Sequence, residues 1–324
     1  MERGKHNVTD RQIVDAYINF QKENQDKNSL RTLYELFCAD QRFNEACQII
    51  SKFDEVSQMN LEESLKFHAS LPKRFLNIGG GPTFLYPYWA NLESAPGPLN
   101  PKPFQLNENC RFPFASGSFD FVYSSHAFEH LDEPTVDTVL QETKRIIKPG
   151  HPLLIRFPDY DKLFDAYRRR EEDYFSDRFW GLSIVTATLH NRGLSDSIHT
   201  RAAYIVCGFW NQAFGHLYTA PKPGAPGAYN GPAALPDAEL SRILSQDSPL
   251  SAAREFRSWV VSNEPSYTFN HQTAWSRQEF VTLLERHGFE VVSTDGDKSI
   301  QRFSFVPGIR NMHDISAYFF ALPR

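Results

Sequence analysis

The sequence predicts an α/β fold, a mostly parallel sheet covered by helices, and three observations predict it. An apolar run, Phe75-Leu-Asn-Ile78, feeds a glycine turn, Gly79-Gly-Gly81; glycine at a strand end lets a ligand approach the backbone closely. Beyond it, short apolar segments alternate with stretches of helical period, the pattern of parallel strands joined by crossover helices. The chain then closes on a helical run, a glycine and two further strand-like runs, Trp275–Arg286, Gly288, Phe289–Ser293 and Ser316–Leu322.

Taken in order, residues from about 9 to 70 read as helical. Ile13, Ala16, Tyr17 and Phe20 recur at helical spacing, as do Leu33, Leu36 and Phe37, then Phe43, Cys47 and Ile50. Asn60-Leu-Glu-Glu63 has the form of a capping box. A helical N-terminal region, 1–70, is therefore expected beside a larger domain, 71–324. In that domain Phe75–Ile78, Trp89–Glu93, Phe119–Ser124 and Pro152–Phe157 read as strands, and Pro134–Ile147 as an amphipathic helix stopped at Pro149-Gly150. Asp161–Phe175 reads as helical. The stretch 180–272 is too long for one loop, with helical candidates near 201–213 and 237–245, and is expected to be a cap-like insertion. Ser276, with Glu279 three residues on, marks the start of the last helix.

Composition narrows the function. A formal net charge of -5 offers no general attraction to nucleic acid. Cys38, Cys47, Cys110 and Cys207 are scattered and form no CxxC pair, which speaks against a zinc knuckle or a disulfide-stapled secreted fold. No signal-peptide core and no apolar run long enough for a membrane span is present, so a cytoplasmic protein is expected. The insertion carries Trp210, Phe214, His216, Tyr218, Tyr229, Trp259 and Tyr267, aromatic surface that suits either an acceptor pocket or packing.

Several blocks stand in a telling order: Leu76-Asn-Ile-Gly79, Trp89-Ala-Asn-Leu-Glu93, Phe112-Pro-Phe, Ser118-Phe-Asp, Glu129-His-Leu131 and Arg145-Ile-Ile-Lys-Pro-Gly150. In these the chain resembles the class I S-adenosylmethionine-dependent methyltransferases, of the type 11-like branch, over about residues 73–178 and 271–323. The resemblance implies a Rossmann-like sheet, S-adenosylmethionine as cofactor and in-line methyl transfer to a small or medium-sized acceptor. It implies Gly79, Gly80 and Gly81 beneath the amino-acid part of the cofactor, with backbone N–H groups on its carboxylate, and Asn77 securing that turn. Glu93 is expected on the ribose hydroxyls, Asn107 or Glu108 on the adenine side, and Ser125 and His126 at the crevice.

An acceptor that loses a proton needs a base, and His126, His130 and His271 are the candidates. Two departures from the family pattern stand out: Thr83 where a third glycine is usual, and His151 after Lys148-Pro-Gly150. They leave room for the alternative, a catalytically inactive adenosylmethionine-binding or scaffold protein of the same fold. A homodimer through the N-terminal helices or the insertion is also compatible with the sequence. His126-Ala-Phe-Glu-His130 matches the inverted zinc-protease pattern His-x-x-Glu-His. It straddles a strand end and a loop instead of one helical face, so no metal site is expected. An NAD-dependent oxidoreductase fits the Gly-Gly-Gly-Pro turn and the Glu-His-Leu block poorly.

Overall fold

The computed structural model describes residues 27–57, 60–80, 86–94, 103–176, 180, 196–207, 235–263, 271–312 and 314–324. Gly81, Thr83, the run from Ile13 to Phe20, and all the insertion aromatics named above except Trp259 lie outside them. Six strands form one sheet: β1 (Phe75–Ile78), β2 (Trp89–Leu92), β3 (Phe121–Ser125), β4 (Leu153–Pro158), β5 (Phe289–Ser293) and β6 (Ser316–Pro323). Their order is β2-β1-β3-β4-β6-β5. The first four run parallel, and β6 is antiparallel to both β4 and β5.

Because side chains alternate across a strand, each strand feeds two cores. On one face Leu76, Ile78, Val122, Leu153, Ile155, Phe157 and Phe319 pack with α4 (Glu133–Ile146), α5 (Tyr160–Arg168) and α9 (Arg277–Arg286). On the other, Phe75, Trp89, Phe121, Tyr123, Leu154, Tyr318 and Phe320 pack against α1 (Lys27–Ala39), α2 (Phe43–Ser57), α3 (Leu61–Ser70) and the Phe303–Ile309 stretch. This second core is aromatic: the Phe43 ring meets Phe75 edge-on at 5.5 Å, and Phe303 stacks on Phe121 at 5.3 Å. The helices before residue 70 thus form a layer over the sheet and share its core.

Local signals set the helix ends. Asn60 and Glu63 make the expected capping box on α3, and Ser276 and Glu279 make the one on α9. Asp132 caps α4 by accepting from Thr135 N, with Pro134 in the first turn. The helix predicted over Asp161–Phe175 is shorter: α5 ends at Arg168, Arg170 takes a φ of 55°, and a separate 3-10 turn spans Glu172–Phe175. In the insertion, α6 (Ile198–Cys207) and α7 (Asp237–Leu244) lie where helices were expected, and among the described residues α8 (Pro249–Asn263) is a further one. Their apolar residues, Ala202 to Cys207, Leu240, Ile243, Leu244, Ala253 and Phe256, join the α5 side of the first core, with Trp259 packed at its edge. A short helix, α10 (Gly296–Arg302), precedes β6. Among the described residues no helix is long and apolar enough to cross a membrane.

At the amino end of β3, Asp120 is 1% exposed and faces two cationic groups and an imidazole. It pairs with Arg74, with Lys148 Nζ at 2.7 Å and with His151 Nε2 at 3.3 Å. His151, next after Lys148-Pro-Gly150, is therefore a partner of Asp120. The left-handed turn is taken by Gly150 at a φ of 71°, and His151 needs no such angle.

Candidate active site

The strand order reverses between β1 and β3, since the chain passes from β1 outward to β2 and then returns to the other side of β1. In open sheets this leaves a crevice at the carboxyl ends of the two strands. Gly79 and Gly80 follow β1 there, and Ser125 and His126 stand at the end of β3. Gly79 has a φ of 70°, and a Cβ at that position would overlap the Cβ of Ala127. Both backbone conformation and space therefore require glycine. Its N–H donates to Leu92 O at 2.8 Å. That corrects the expectation that it faces a cofactor carboxylate: the amide belongs to the β1–β2 ladder, and in the described part of the turn Gly80 remains for that role.

Asn77 also differs from expectation. It lies one residue before the strand end, on the side of the sheet opposite Ile78, and is fully buried. Its Nδ2 donates to Asn91 Oδ1 on β2 at 2.9 Å, so it ties two strands together and does not secure the turn. Glu93 stands just past the end of β2, beside β1, largely buried, with Ser94 Oγ donating to its Oε1 at 3.1 Å. Asn107 and Glu108 are both exposed. The Asn107 side chain accepts from Asn109 N at 2.9 Å, and Glu108 O accepts from Thr138 Oγ1 at 2.8 Å.

Around His126 the polar groups converge. His126 takes a φ of 52°, unusual for a side chain of its size. Its N–H donates to Arg156 O at 2.9 Å. The ring lies between Glu129 Oε1, 3.0 Å from Nδ1, and Ser316 Oγ, 2.9 Å from Nε2. An ionised carboxylate only accepts, so Nδ1 carries the hydrogen toward Glu129. Glu129 is 1% exposed. Burial alone pushes its pKa up, but the hydrogen bond from His126 and the neighbouring charges of His126, His130 and His271 outweigh it and hold the carboxyl below its usual range.

His130 ends a 3-10 turn, Phe128–His130, so the His-x-x-Glu-His stretch lies on no α-helix. His130 and His271 meet edge-to-face with ring centroids 4.6 Å apart. His271 is fixed by its N–H to Cys207 O at 2.8 Å and by Tyr160 Oη, 3.1 Å from Nδ1. Burial, then the charge of His130, pushes its pKa down to about 3. A neutral imidazole of that kind is a poor general base near pH 7.

Four contributors escaped sequence reading: Glu129, Tyr160, Ser316 and Arg156. Glu129 was quoted only as part of a motif, and the others are ordinary strand or helix positions until the sheet forms. Arg156, on β4, is buried. It donates from Nε to Ser125 Oγ at 2.7 Å and from its other nitrogens to Ile309 O at 2.7 Å and Gly308 O at 3.1 Å. The rings of Tyr123 and Tyr318 flank it at 5.9 and 6.0 Å. The Ser125 hydroxyl predicted to face the crevice is thereby held by a buried cation.

Residues 89–155 match the family model of the methyltransferase domain. Solved structures that the chain matches include an S-adenosylmethionine-dependent methyltransferase from Mesorhizobium loti, 13% identical over 80% of this chain and 96% of that one, with a TM-score of 0.34. One from Aquifex aeolicus is 14% identical over 86% of this chain and 98% of that one, at 0.33. PKMT2 from Rickettsia typhi, in complex with AdoHcy, is 10% identical over 78% of this chain and 49% of that one, also at 0.33. Over residues 89–155 the chain is thus similar to a methyltransferase domain, and its sheet is the mixed α/β sheet described above.

Proposed function

We propose that the protein binds S-adenosylmethionine in the crevice between β1 and β3 and transfers its methyl group to a small or medium-sized acceptor. The glycine turn at the switch point carries this reading: Gly79 closes tightly against Ala127 where any side chain would intrude. The residues present suit the cofactor. Past the end of β2 a largely buried carboxylate, Glu93, is disposed to accept from two vicinal ribose hydroxyls. Past the end of β1, Gly80 has no side chain to bar a carboxylate from its backbone.

Bound there, the cofactor supplies a sulfonium-activated, electrophilic methyl carbon. The chain's contribution is to hold the acceptor atom in line and to exclude water. Where the acceptor loses a proton on attack, the Ser316–His126–Glu129 chain supports a route for it. Ser316 Oγ lies on the basic nitrogen of His126, and the buried Glu129 carboxylate stabilises the imidazolium that forms.

Calorimetry with S-adenosylmethionine and S-adenosylhomocysteine tests the first half, and binding of neither refutes it. A screen for transfer of labelled methyl groups into fractionated extracts tests the second. Affinity for the cofactor without transfer to any fraction would favour the inactive adenosylmethionine-binding alternative.

A further inference from the structure

We propose that Glu129, His130 and His271 form a binding site for a divalent transition metal ion, zinc foremost. One ligand atom from each residue lies within 4.8 Å of the other two. Two imidazoles and one carboxylate are a donor set that suits zinc, and three protein ligands leave a fourth position for water. Tetrahedral bonds of about 2.0–2.2 Å place ligand atoms roughly 3.4 Å apart, so binding draws the cluster in by up to roughly 1.4 Å. His130, half-buried at the end of a 3-10 turn, is the member with room to move.

A second observation points independently to a ligand. Glu129 Oε1 is occupied by His126, but Oε2 is buried and has no hydrogen-bond partner. A desolvated carboxylate oxygen facing no donor costs several kcal/mol unless a cation or another donor meets it. The surroundings also have the outer shell of a metal site, where a ligating group is oriented by a further hydrogen bond. His126 holds one oxygen of Glu129, and the His271 ring is held by Tyr160 Oη, 3.1 Å from Nδ1, and by the Ile205 carbonyl, one of which the ion would displace or leave as the orienting partner. The backbone fixes the pair as well: Glu129 O accepts from Gln272 N at 2.6 Å and from Thr273 N at 3.2 Å. Thus the turn that bears Glu129 and His130 is laced directly to the segment that bears His271. The sequence expectation of no metal considered only His126 with His130; the second imidazole comes instead from 141 residues further on.

The proposal shares Glu129 with the proton route above, but its test reads metal alone. The full chain is stripped with a chelator, dialysed and titrated with zinc chloride by calorimetry, with cobalt(II) absorption as a second readout. One zinc per chain is expected, with visible cobalt bands of a low-coordinate site. His130→Ala should weaken zinc binding at least tenfold and abolish those bands, and Glu129→Gln should do the same if its melting curve shows that it folds. His199→Ala removes an imidazole bonded to Tyr167 Oη at 2.7 Å, remote from the cluster, and should leave binding unchanged. Failure of the wild-type chain to take up stoichiometric zinc, or an unaltered affinity in His130→Ala, overturns the assignment. Adenosylmethionine titrations on the same samples report on the methyltransferase reading separately.

Discussion

Substituting Gly79 by alanine separates two reasons for glycine at the switch point. The residue sits at a φ of 70°, and an added Cβ would overlap the Cβ of Ala127. The left-handed angle costs an L-residue about 1–2 kcal/mol. Forcing an extra methyl into a packed position costs about 1–3 kcal/mol. Ala127 is buried and held by its neighbour: the His126 ring is anchored at both nitrogens, so the loop gives little. Gly79→Ala should therefore lose about 2–5 kcal/mol of unfolding free energy. Gly79→Ala with Ala127→Gly keeps the angle and removes the overlap, and should recover much of the steric part. Urea unfolding followed by tryptophan fluorescence measures both variants. If the second substitution recovers nothing, or if Gly79→Ala is neutral, the close approach of β1 and the β3 loop is not what holds the turn.

Three further outcomes follow from the site and its supports. Glu93→Ala should weaken adenosylmethionine binding by about 1–3 kcal/mol, the worth of hydrogen bonds to a charged acceptor; unchanged affinity in calorimetry would remove Glu93 from the cofactor site. His271, with a pKa taken from 6.5 down to about 3 by burial, binds a proton in the unfolded chain before it does in the folded one. Its contribution is thus complete above pH 6.5 and is lost as pH falls, with a slope approaching about 1.4 kcal/mol per pH unit. Between pH 6.5 and 4.5 the stability of His271→Gln should fall less steeply than that of the wild type, and parallel curves would contradict the burial argument. Asp120→Ala should cost about 3 kcal/mol, because Arg74, Lys148 and His151 lose the buried carboxylate they share. Lys148→Met should cost less, since Arg74 and the His151 ring still face the carboxylate, and equal losses in equilibrium unfolding would argue against a shared cluster.

The sheet was legible because its strands are short apolar runs between helical periods, and burial on both faces leaves them few other fates. The caps at Asn60, Asp132 and Ser276 are local chemistry and stand in the sequence as they stand in the fold. What failed to show is non-local or faint. Helix α8 starts at a proline and buries mainly alanine and single large residues, Leu250 and Phe256, a weak periodic signal. The end of α5 at Arg168 depends on a left-handed Arg170 that no local residue type announces. At the site, Glu93 and Gly79 lie at the strand ends expected of them. Asn77 turned to Asn91 because strand alternation, not proximity in sequence, decides which way a side chain points. The meeting of Glu129 and His130 with His271 has no local signature at all, because it is made by tertiary contact across the insertion.

The aromatic face of the sheet has a consequence in time. Asn44, in α2, accepts at Oδ1 from Phe305 N at 2.9 Å, a contact between residues 261 apart. At roughly 5–20 residues per second of synthesis, about 13–52 s separate the emergence of these two partners from the ribosome. From its own emergence until that interval closes, Phe121 lacks its stacking partner Phe303, and the Phe75–Trp89 pair lacks Phe305. This side of the molecule is sealed only once residues 303–305 have emerged. A chain stalled or cut before residue 303 bares a row of phenylalanines to any other nascent chain.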